Sequence, residues 1–444
     1  MPSKTFMALP RRPLPAMARV EQKLNSQHIS DVRSDVRDKL LAAGLRKQIR
    51  PGARIAITAG SRGIGGFLEL LAGIVEAVQL AKGKPFLIPA MGSHGGATAR
   101  GQSDLLRCLG VNDQSVNAPI RATMETLELG RSQSGAVAHL DRIAAGADGI
   151  IVLGRVKTHP ENTAGIASGL LKMVTVGLGK QAGAQEAHSH GLWESVSAVP
   201  QLVLAKSKII FGVAVVENAY RQPVIIEAVP ARYENFREAD ERLLRLAKPH
   251  VAKIPFQELD LLIVDEIGKT ISGSGMDVNV IGKWRVNGGK RQPNYKRIVA
   301  LSLTAGSMGN GLGIGLADFT TRRFMNDYDP APTYVNLVTA SEPDSTTREG
   351  PLPLALPNDR EAIEVGLHSS LAGTAPRVCR IRNTATLNEF WISEALVKEA
   401  KQNPRLKILE RTTSARFDKS GNLNLKNFNH GWTRMRTSHR NKTT

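Results

Sequence analysis

Two histidines follow apolar runs that are predicted to be β-strands. His94 stands in GSHGGA after the run at residues 85–89, and His159 stands in VKTHP after the run at residues 149–156. Open α/β sheets bind ligands beyond the carboxyl ends of their strands. The sequence therefore predicts two imidazoles at such an edge. The alternative for His94 is a loop histidine that only caps a helix, and the alternative for His159 is a surface histidine.

A lysine interrupts the apolar, helix-like stretch SGLLKMV at Lys172. Burial of an ammonium group is unfavourable unless the group is paired or its stem reaches solvent. Burial also lowers the pKa of a lysine and makes its amine a better nucleophile. The glycine-rich segment GLGKQAGA follows, and then the pair His188 and His190, whose imidazoles suit nickel or zinc. The alternatives are a lysine that extends to solvent and two surface histidines.

A third loop with possible chemistry is GKTISGSGMD at residues 268–277, which follows the apolar run at residues 259–264. Lys269 in this glycine- and serine-rich loop could bind a carboxylate or a phosphate. A mobile surface loop is the alternative interpretation.

The stretch ITAGSRGIGG at residues 57–66 has the glycine spacing of a phosphate-holding turn before a helix. An NAD(P)-dependent oxidoreductase is therefore one alternative function. Two expected features of that class are missing from the sequence. The next strand ends in PAMGSHGG without the acidic residue that binds a ribose, and no tyrosine has a lysine four residues later.

Strand and helix patterns alternate along the chain, which predicts an α/β protein with mainly parallel sheets. We predict an N-terminal α/β domain over residues 1–250, with the cofactor and histidine motifs, and a C-terminal α/β domain over residues 251–412. A cleft between the two domains would hold the site, and residues 413–444 form a basic polar tail. Predicted strands lie at residues 54–58, 85–89, 149–156, 208–216, 224–229, 259–264, 298–303 and 378–381. Predicted helices lie at residues 31–43, 67–82, 98–109, 165–178, 195–206, 233–248, 361–371 and 389–402.

The composition limits the class of protein. The chain has 444 residues, two cysteines and a formal net charge of +19. Neither a disulfide framework nor a cysteine-rich metal site is expected. Without a signal-peptide pattern or a long apolar run, we expect a cytoplasmic protein with no membrane partner. The charge favours anionic partners, so a non-enzymatic anion- or nucleic-acid-binding protein is a second alternative. Nucleic acid is not expected as the main partner, because no recognised nucleic-acid-binding signature accompanies the charge.

Taken in order, the motifs V-K-x-H, S-G-L-x-K-M, G-L-G-K-Q and S-G-x-G-M-D resemble a divergent branch of the lactate racemase family. The resemblance extends over about residues 50–300. It implies an isomerase, a racemase or epimerase of a 2-hydroxy acid, that depends on a nickel-pincer nucleotide. It also implies that Lys172 is linked to this nucleotide and that His188 binds the nickel, with His190 as the fallback.

The resemblance assigns the remaining residues to the substrate. It implies that His94 and His159 act as acid and base on opposite faces of a small hydroxy acid. Arg62 would hold the substrate carboxylate in a bidentate fork, and Lys269 would assist from the second domain. The sequence leaves open whether the substrate is a short hydroxy acid, a dicarboxylate or a sugar acid.

Overall fold

The structure is a computed structural model that describes residues 9–61, 64–157, 168–339, 346–410 and 412–423. The strands are β1 (Met17–Gln22), β2 (Arg54–Ala59), β3 (Lys84–Pro89), β4 (Thr126–Arg131), β5 (Val137–Asp141), β6 (Gly149–Arg155), β7 (Ile209–Glu217), β8 (Pro223–Pro230), β9 (Glu258–Val264), β10 (Asn294–Ala300), β11 (Phe319–Thr321), β12 (Leu354–Leu356), β13 (Val378–Asn383), β14 (Thr386–Ser393) and β15 (Leu406–Ile408). The helices are α1 (Val32–Ala42), α2 (Leu45–Gln48), α3 (Phe67–Leu80), α4 (Ala99–Cys108), α5 (Asp113–Val116), α6 (Arg142–Ala145), α7 (Leu170–Lys172), α8 (Lys180–Ser189), α9 (Leu192–Lys206), α10 (Tyr233–Ala247), α11 (Val278–Ile281), α12 (Trp284–Asn287), α13 (Arg322–Asp327), α14 (Pro330–Thr339), α15 (Thr346–Glu349), α16 (Asp359–Ser369) and α17 (Glu394–Gln402).

The first sheet has the strand order β3-β2-β6-β7-β8, and only β8 is antiparallel to its neighbour. Its central strands are apolar on both faces, as a sheet covered on both sides requires. Ile57 and Leu153 pack in one core with helices α1 and α3, and Ala56 and Val152 pack in the other with α9 and α10. Strands β4 and β5 form a separate antiparallel hairpin.

The second sheet has the strand order β12-β11-β10-β9-β13-β14-β1-β15. The strands from β12 to β13 are parallel, and those from β14 to β15 are antiparallel. Ile263 and Val299 pack with helix α16 on one face, whereas Leu262 and Ile298 face the other core with Phe390. The α/β class with mainly parallel sheets is therefore confirmed.

Three local expectations are wrong in detail. The helix expected at residues 389–402 begins only at Glu394, because residues 386–393 form β14 between β13 and β1. The strand expected at residues 298–303 is instead Asn294–Ala300. Within the described part of the run at residues 165–178, α7 begins at Leu170 and continues as a π-helical turn over Met173–Gly177.

The N-terminal segment also forms a strand that the sequence did not indicate. Strand β1 lies in the second sheet, although its residues belong to the segment predicted to form the first domain. Thr413 continues this edge by bridging to Met17, and most of the predicted basic tail lies outside the described residues. Among the described helices, none has the length and apolar character needed to cross a bilayer.

Candidate active site

The carboxyl ends of the parallel strands β3, β2, β6 and β7 meet at one edge of the first sheet. The chain moves outward from β2 to β3 and later returns to the other side of β2 at β6, so the strand order reverses between β2 and β6. Ligands of open α/β sheets bind at such a reversal. A cavity of about 160 Å³ lies here, and Ser61, His94, Arg155, Lys172 and Met173 are among the residues that line it.

The loop after β3 holds His94 in a defined position. The Nδ1 atom of His94 lies 2.5 Å from Ser61 Oγ. Below the loop, the side-chain amide of Gln102 donates to the carbonyls of Gly92 at 2.9 Å and His94 at 3.2 Å. Gly95 has a φ of +67°, and a Cβ there would lie 2.6 Å from the backbone nitrogen of Gln102. The local backbone therefore requires glycine, which explains the glycine-rich sequence around His94.

Lys172 is placed by a buried carboxylate on a distant helix. Asp240 of α10 accepts hydrogen bonds from the backbone N–H groups of Leu170 at 2.9 Å and Leu171 at 3.0 Å, which start α7. Burial raises the pKa of Asp240 to about 7, against the lowering effect of these two donors. The Lys172 ammonium lies 5.5 Å from the ring centre of Trp193, within cation–π range.

His188 lies in the last turn of α8, and its properties suit a metal ligand. Burial, with a smaller effect from the positive charge of Lys172, lowers the pKa of His188 to about 4. Its imidazole is therefore neutral at pH 7. Its Nδ1 atom is buried and has no hydrogen-bond partner among the described residues. A buried, unpartnered nitrogen is unfavourable unless a ligand satisfies it.

His190 differs from His188, because its Nδ1 donates to the Glu186 carbonyl at 3.0 Å and lies 3.6 Å from the Glu186 carboxylate. Its ring also packs against Gly135 of the β4–β5 hairpin. Within the described ranges, no three His, Cys, Asp or Glu side chains are grouped so that they could hold a metal ion by themselves. A metal at His188 would therefore need ligands besides the described side chains of these four types.

Arg155 and Glu217 were not anticipated from the sequence. Arg155 Nη1 lies 2.7 Å from Glu217 Oε2, and Glu217 Oε1 accepts from the Gly65 N–H at 2.5 Å. Burial alone would raise the pKa of Glu217, but the charge of Arg155 and the Gly65 bond hold the pKa below its usual value. The glycine-rich turn before α3 is thus already occupied by a protein carboxylate.

A second cavity, of about 80 Å³, lies between the two sheets and shares Arg155 with the first. Its lining includes Lys157 after β6, Arg221 between β7 and β8, and Asp277 from the loop after β9. Lys157 and Asp277 form an ion pair across this gap. Basic groups thus lie around the gap, and this ion pair joins its two sides.

The structure brings together only part of the predicted site. His94 and Lys172 line one cavity, and His188 is close enough to Lys172 for its pKa to be affected. Arg62 and His159 lie outside the described residues. Lys269 is not among the described lining residues of either cavity, and its ammonium donates to the Gly273 carbonyl at 2.5 Å.

Sequence reasoning missed Arg155 and Asp240 for different reasons. Arg155 ends the apolar run GIIVLGR, so its position at the carboxyl end of a predicted strand was a usable signal. Asp240 lies in a charged amphipathic helix and resembles its solvent-facing neighbours in sequence. Only the fold shows that its side chain is buried beneath α7.

Comparison with known proteins gives distant similarities of overall architecture. No protein-family model and no curated protein matches the chain. A structural-genomics crystal structure of a Thermotoga maritima protein has a TM-score of 0.47 at 13% identity, covering 63% of this chain and 72% of that one. The lactate racemase apoprotein from Thermoanaerobacterium thermosaccharolyticum has a TM-score of 0.46 at 12% identity, covering 83% of this chain and 99% of that one.

Proposed function

We propose that this protein is an isomerase that racemises or epimerises a 2-hydroxy acid, with a nickel-pincer nucleotide held at Lys172. One observation carries the proposal: Lys172 and His94 line the same cavity at the strand-order reversal, and the neutral imidazole of His188 lies near Lys172. These residue types suit attachment, proton transfer and metal binding, respectively.

The residues around Lys172 fit the proposed cofactor. When bound, the nucleotide supplies a cationic pyridinium ring that can accept a hydride. Lys172 would hold the nucleotide covalently. His188 would complete the nickel coordination, since its Nδ1 is buried and has no partner among the described residues. His190 is the fallback ligand, although its Nδ1 is already bonded to Glu186.

His94 would carry the proton of the substrate hydroxyl. In the proposal, Nε2 of this ring transfers the proton, while Ser61 helps to orient the ring through its contact with Nδ1. In the proposal, His159 does the same on the opposite face of the substrate, and Arg62 binds the carboxylate. Lys269 would assist only after its loop rearranges, because its ammonium is bonded to Gly273.

An NAD(P)-dependent oxidoreductase is less well supported. The dinucleotide diphosphate of such enzymes binds at the N-terminus of the helix after the glycine-rich turn. Here the Glu217 carboxylate accepts the Gly65 N–H at that position. A diphosphate there would have to displace this carboxylate from the Gly65 N–H. The third possibility, a non-enzymatic anion-binding protein, is supported only by the basic composition. It would give no role to the grouping of Lys172, His94 and His188.

Intact-mass spectrometry and nickel analysis test the proposed cofactor directly. The protein is made in a host that synthesises the pincer nucleotide, beside Lys172→Ala, His188→Ala and the exposed-site control Lys398→Ala. We expect a mass adduct and bound nickel in the parent and in Lys398→Ala. We expect neither in Lys172→Ala, and an adduct with reduced nickel in His188→Ala. An unmodified, nickel-free parent protein would refute the proposal.

The proposed acid–base pair is tested by interconversion of the stereoisomers at C2. With a panel of short, dicarboxylic and sugar 2-hydroxy acids, the cofactor-loaded parent should racemise or epimerise one of them, as followed by chiral chromatography. His94→Ala and His159→Ala should each abolish this interconversion and keep the mass adduct. Interconversion retained in both would remove these histidines from the reaction.

A further inference from the structure

A third cavity, of about 650 Å³, lies beside the segment that connects the two sheets. It shares no described lining residue with the cavity that contains His94 and Lys172. Its walls come from the connecting segment at residues 248–257, from α11 and the turn after it, and from the start of β10. Its volume lies within the range of small-molecule sites, about 300–1,000 Å³.

The polar side of this cavity is strongly basic. Lys248, Lys253 and Lys283 all line it, and none of its described lining residues is an aspartate or glutamate. Lys283 is half-buried. Burial lowers its pKa, the charge of Asp277 opposes this, and the charge of Lys253 adds a smaller lowering effect. Lys253 is thus close enough to Lys283 for their charges to interact. A bound anion between these two ammonium groups would be attracted to both.

Part of the remaining wall is apolar. Val251 and Pro293 line the cavity and are half-buried, so they keep apolar surface open to a ligand. Ile254 and Tyr295 also border the cavity but are almost fully buried. The Tyr295 hydroxyl donates to the Phe256 carbonyl at 3.1 Å, which fixes the ring. A small inorganic anion would leave this apolar surface unused. A ligand with a planar or apolar body and a charged end would cover both parts.

We propose that this cavity binds a phosphorylated small organic molecule, with its phosphate held by Lys253 and Lys283 and its body against the apolar wall. Lysine is a well-suited phosphate ligand as a compact point charge. Lys248, at the start of the connecting segment, would complete the basic rim. This site is separate from the proposed catalytic site and does not depend on the proposed isomerase function.

Calorimetric titration with adenosine 5′-monophosphate tests this site in the full-length protein, with adenosine and inorganic phosphate as partial probes. Lys253→Gln/Lys283→Gln removes two cavity charges. The matched control, Lys398→Gln/Lys401→Gln, removes two exposed charges on α17. We expect adenosine monophosphate to bind the parent and the control equally, and the cavity variant about tenfold more weakly or worse. Both partial probes should bind more weakly than the whole nucleotide.

Three results would overturn the proposal. The first is an absence of binding by all three probes. The second is equal weakening in the cavity variant and the control, which would indicate attraction by net charge alone. The third is loss of binding in Lys172→Ala with retention in the cavity variant, which would place the probe at the proposed cofactor site. Circular dichroism and thermal unfolding of each variant show whether it is folded.

Discussion

Lys180 and Asp141 form an ion pair at 3.0 Å in which both side chains have no solvent exposure. The Lys180 ammonium also bonds to the Pro89 carbonyl and lies 3.2 Å from Gln102 Oε1. The other end of the Gln102 amide holds the His94 loop. A buried charge pair thus supports the loop that presents His94 to the cavity.

Breaking this pair should be strongly destabilising. Lys180→Met leaves the Asp141 charge buried without its partner, so the free energy of unfolding should fall by about 3–5 kcal/mol. In Lys180→Met/Asp141→Asn the uncompensated charge is absent, and part of the loss should be recovered. Urea unfolding at pH 7 measures both. If the free energy of unfolding of Lys180→Met lies within about 0.5 kcal/mol of that of the parent, the ion pair contributes little to stability.

Ser61→Ala tests the orientation of His94. The variant loses the contact of the serine hydroxyl with His94 Nδ1, which is one of the contacts that orient the ring. We expect ¹⁵N NMR of the imidazole to show a changed tautomer ratio, and interconversion of the substrate stereoisomers to slow by about 10–100-fold. Ser103→Ala, which removes a hydroxyl from the neighbouring helix α4, is the matched control. An unchanged NMR signature in Ser61→Ala would exclude this orienting role.

Gly65→Ala tests how closely the glycine-rich turn approaches the strand pair β7–β8. A Cβ at Gly65 would lie 1.5 Å from the Arg221 carbonyl oxygen, so the backbone must move. We expect a loss of about 1–3 kcal/mol in the free energy of unfolding. At Gly373 an added Cβ meets nothing within 4 Å, so Gly373→Ala should change stability by about 0.5 kcal/mol at most. Equal stability of the two variants would contradict this packing.

Asp240 should make the protein less stable as pH rises towards 7, because its pKa is raised in the folded state. Its pKa is about 7 in the folded protein and starts from an ordinary value of 3.8, so the folded state binds the extra proton between these values. The favourable contribution is complete below pH 3.8 and is lost as pH rises towards 7. Asp240→Asn removes this titration and weakens the start of α7 by about 1–3 kcal/mol.

Urea unfolding of the parent and Asp240→Asn at a series of pH values between 4 and 8 measures this effect. We expect the stability difference between the two proteins to shrink as pH rises to 7 and then to stay constant. A difference that grows over this interval would show that the carboxylate is stabilised in its charged form.

The sequence best predicted the elements that depend on short, local patterns of residues. Apolar runs bounded by glycine predicted the strands of the first sheet to within one or two residues, since both faces of these strands are buried. The start of the helix predicted at Glu389 was wrong, because TLNEFWIS forms a strand with partners elsewhere in the chain and the helix begins at Glu394. Phe390 and Ile392 are buried on one face, and Phe390 pairs with Val20 of β1. That pairing cannot be seen in a local window.

The residues of the candidate site also differ in how well the local sequence predicts them. His94, Lys172 and His188 stand in glycine-rich or apolar settings that mark them in the sequence. Lys180 lies in one of these motifs, but nothing local indicates that it is buried, because its partner Asp141 comes from the β4–β5 hairpin. The buried role of Asp240 was hidden for the same reason. Polar groups that support a site from a distant element depend on tertiary contacts.

The position of β1 has a consequence for how the protein is made. Among the described residues, this strand pairs with β14 and β15 and bridges to Thr413, all of which follow it by more than 360 residues. Domains generally form as they leave the ribosome, starting from the N-terminus. The first sheet, whose strands are complete by Pro230, can assemble while β1 still has no partner. Strand β1 is therefore made before the first sheet, but it can enter the second sheet only after β14 and β15 have been translated.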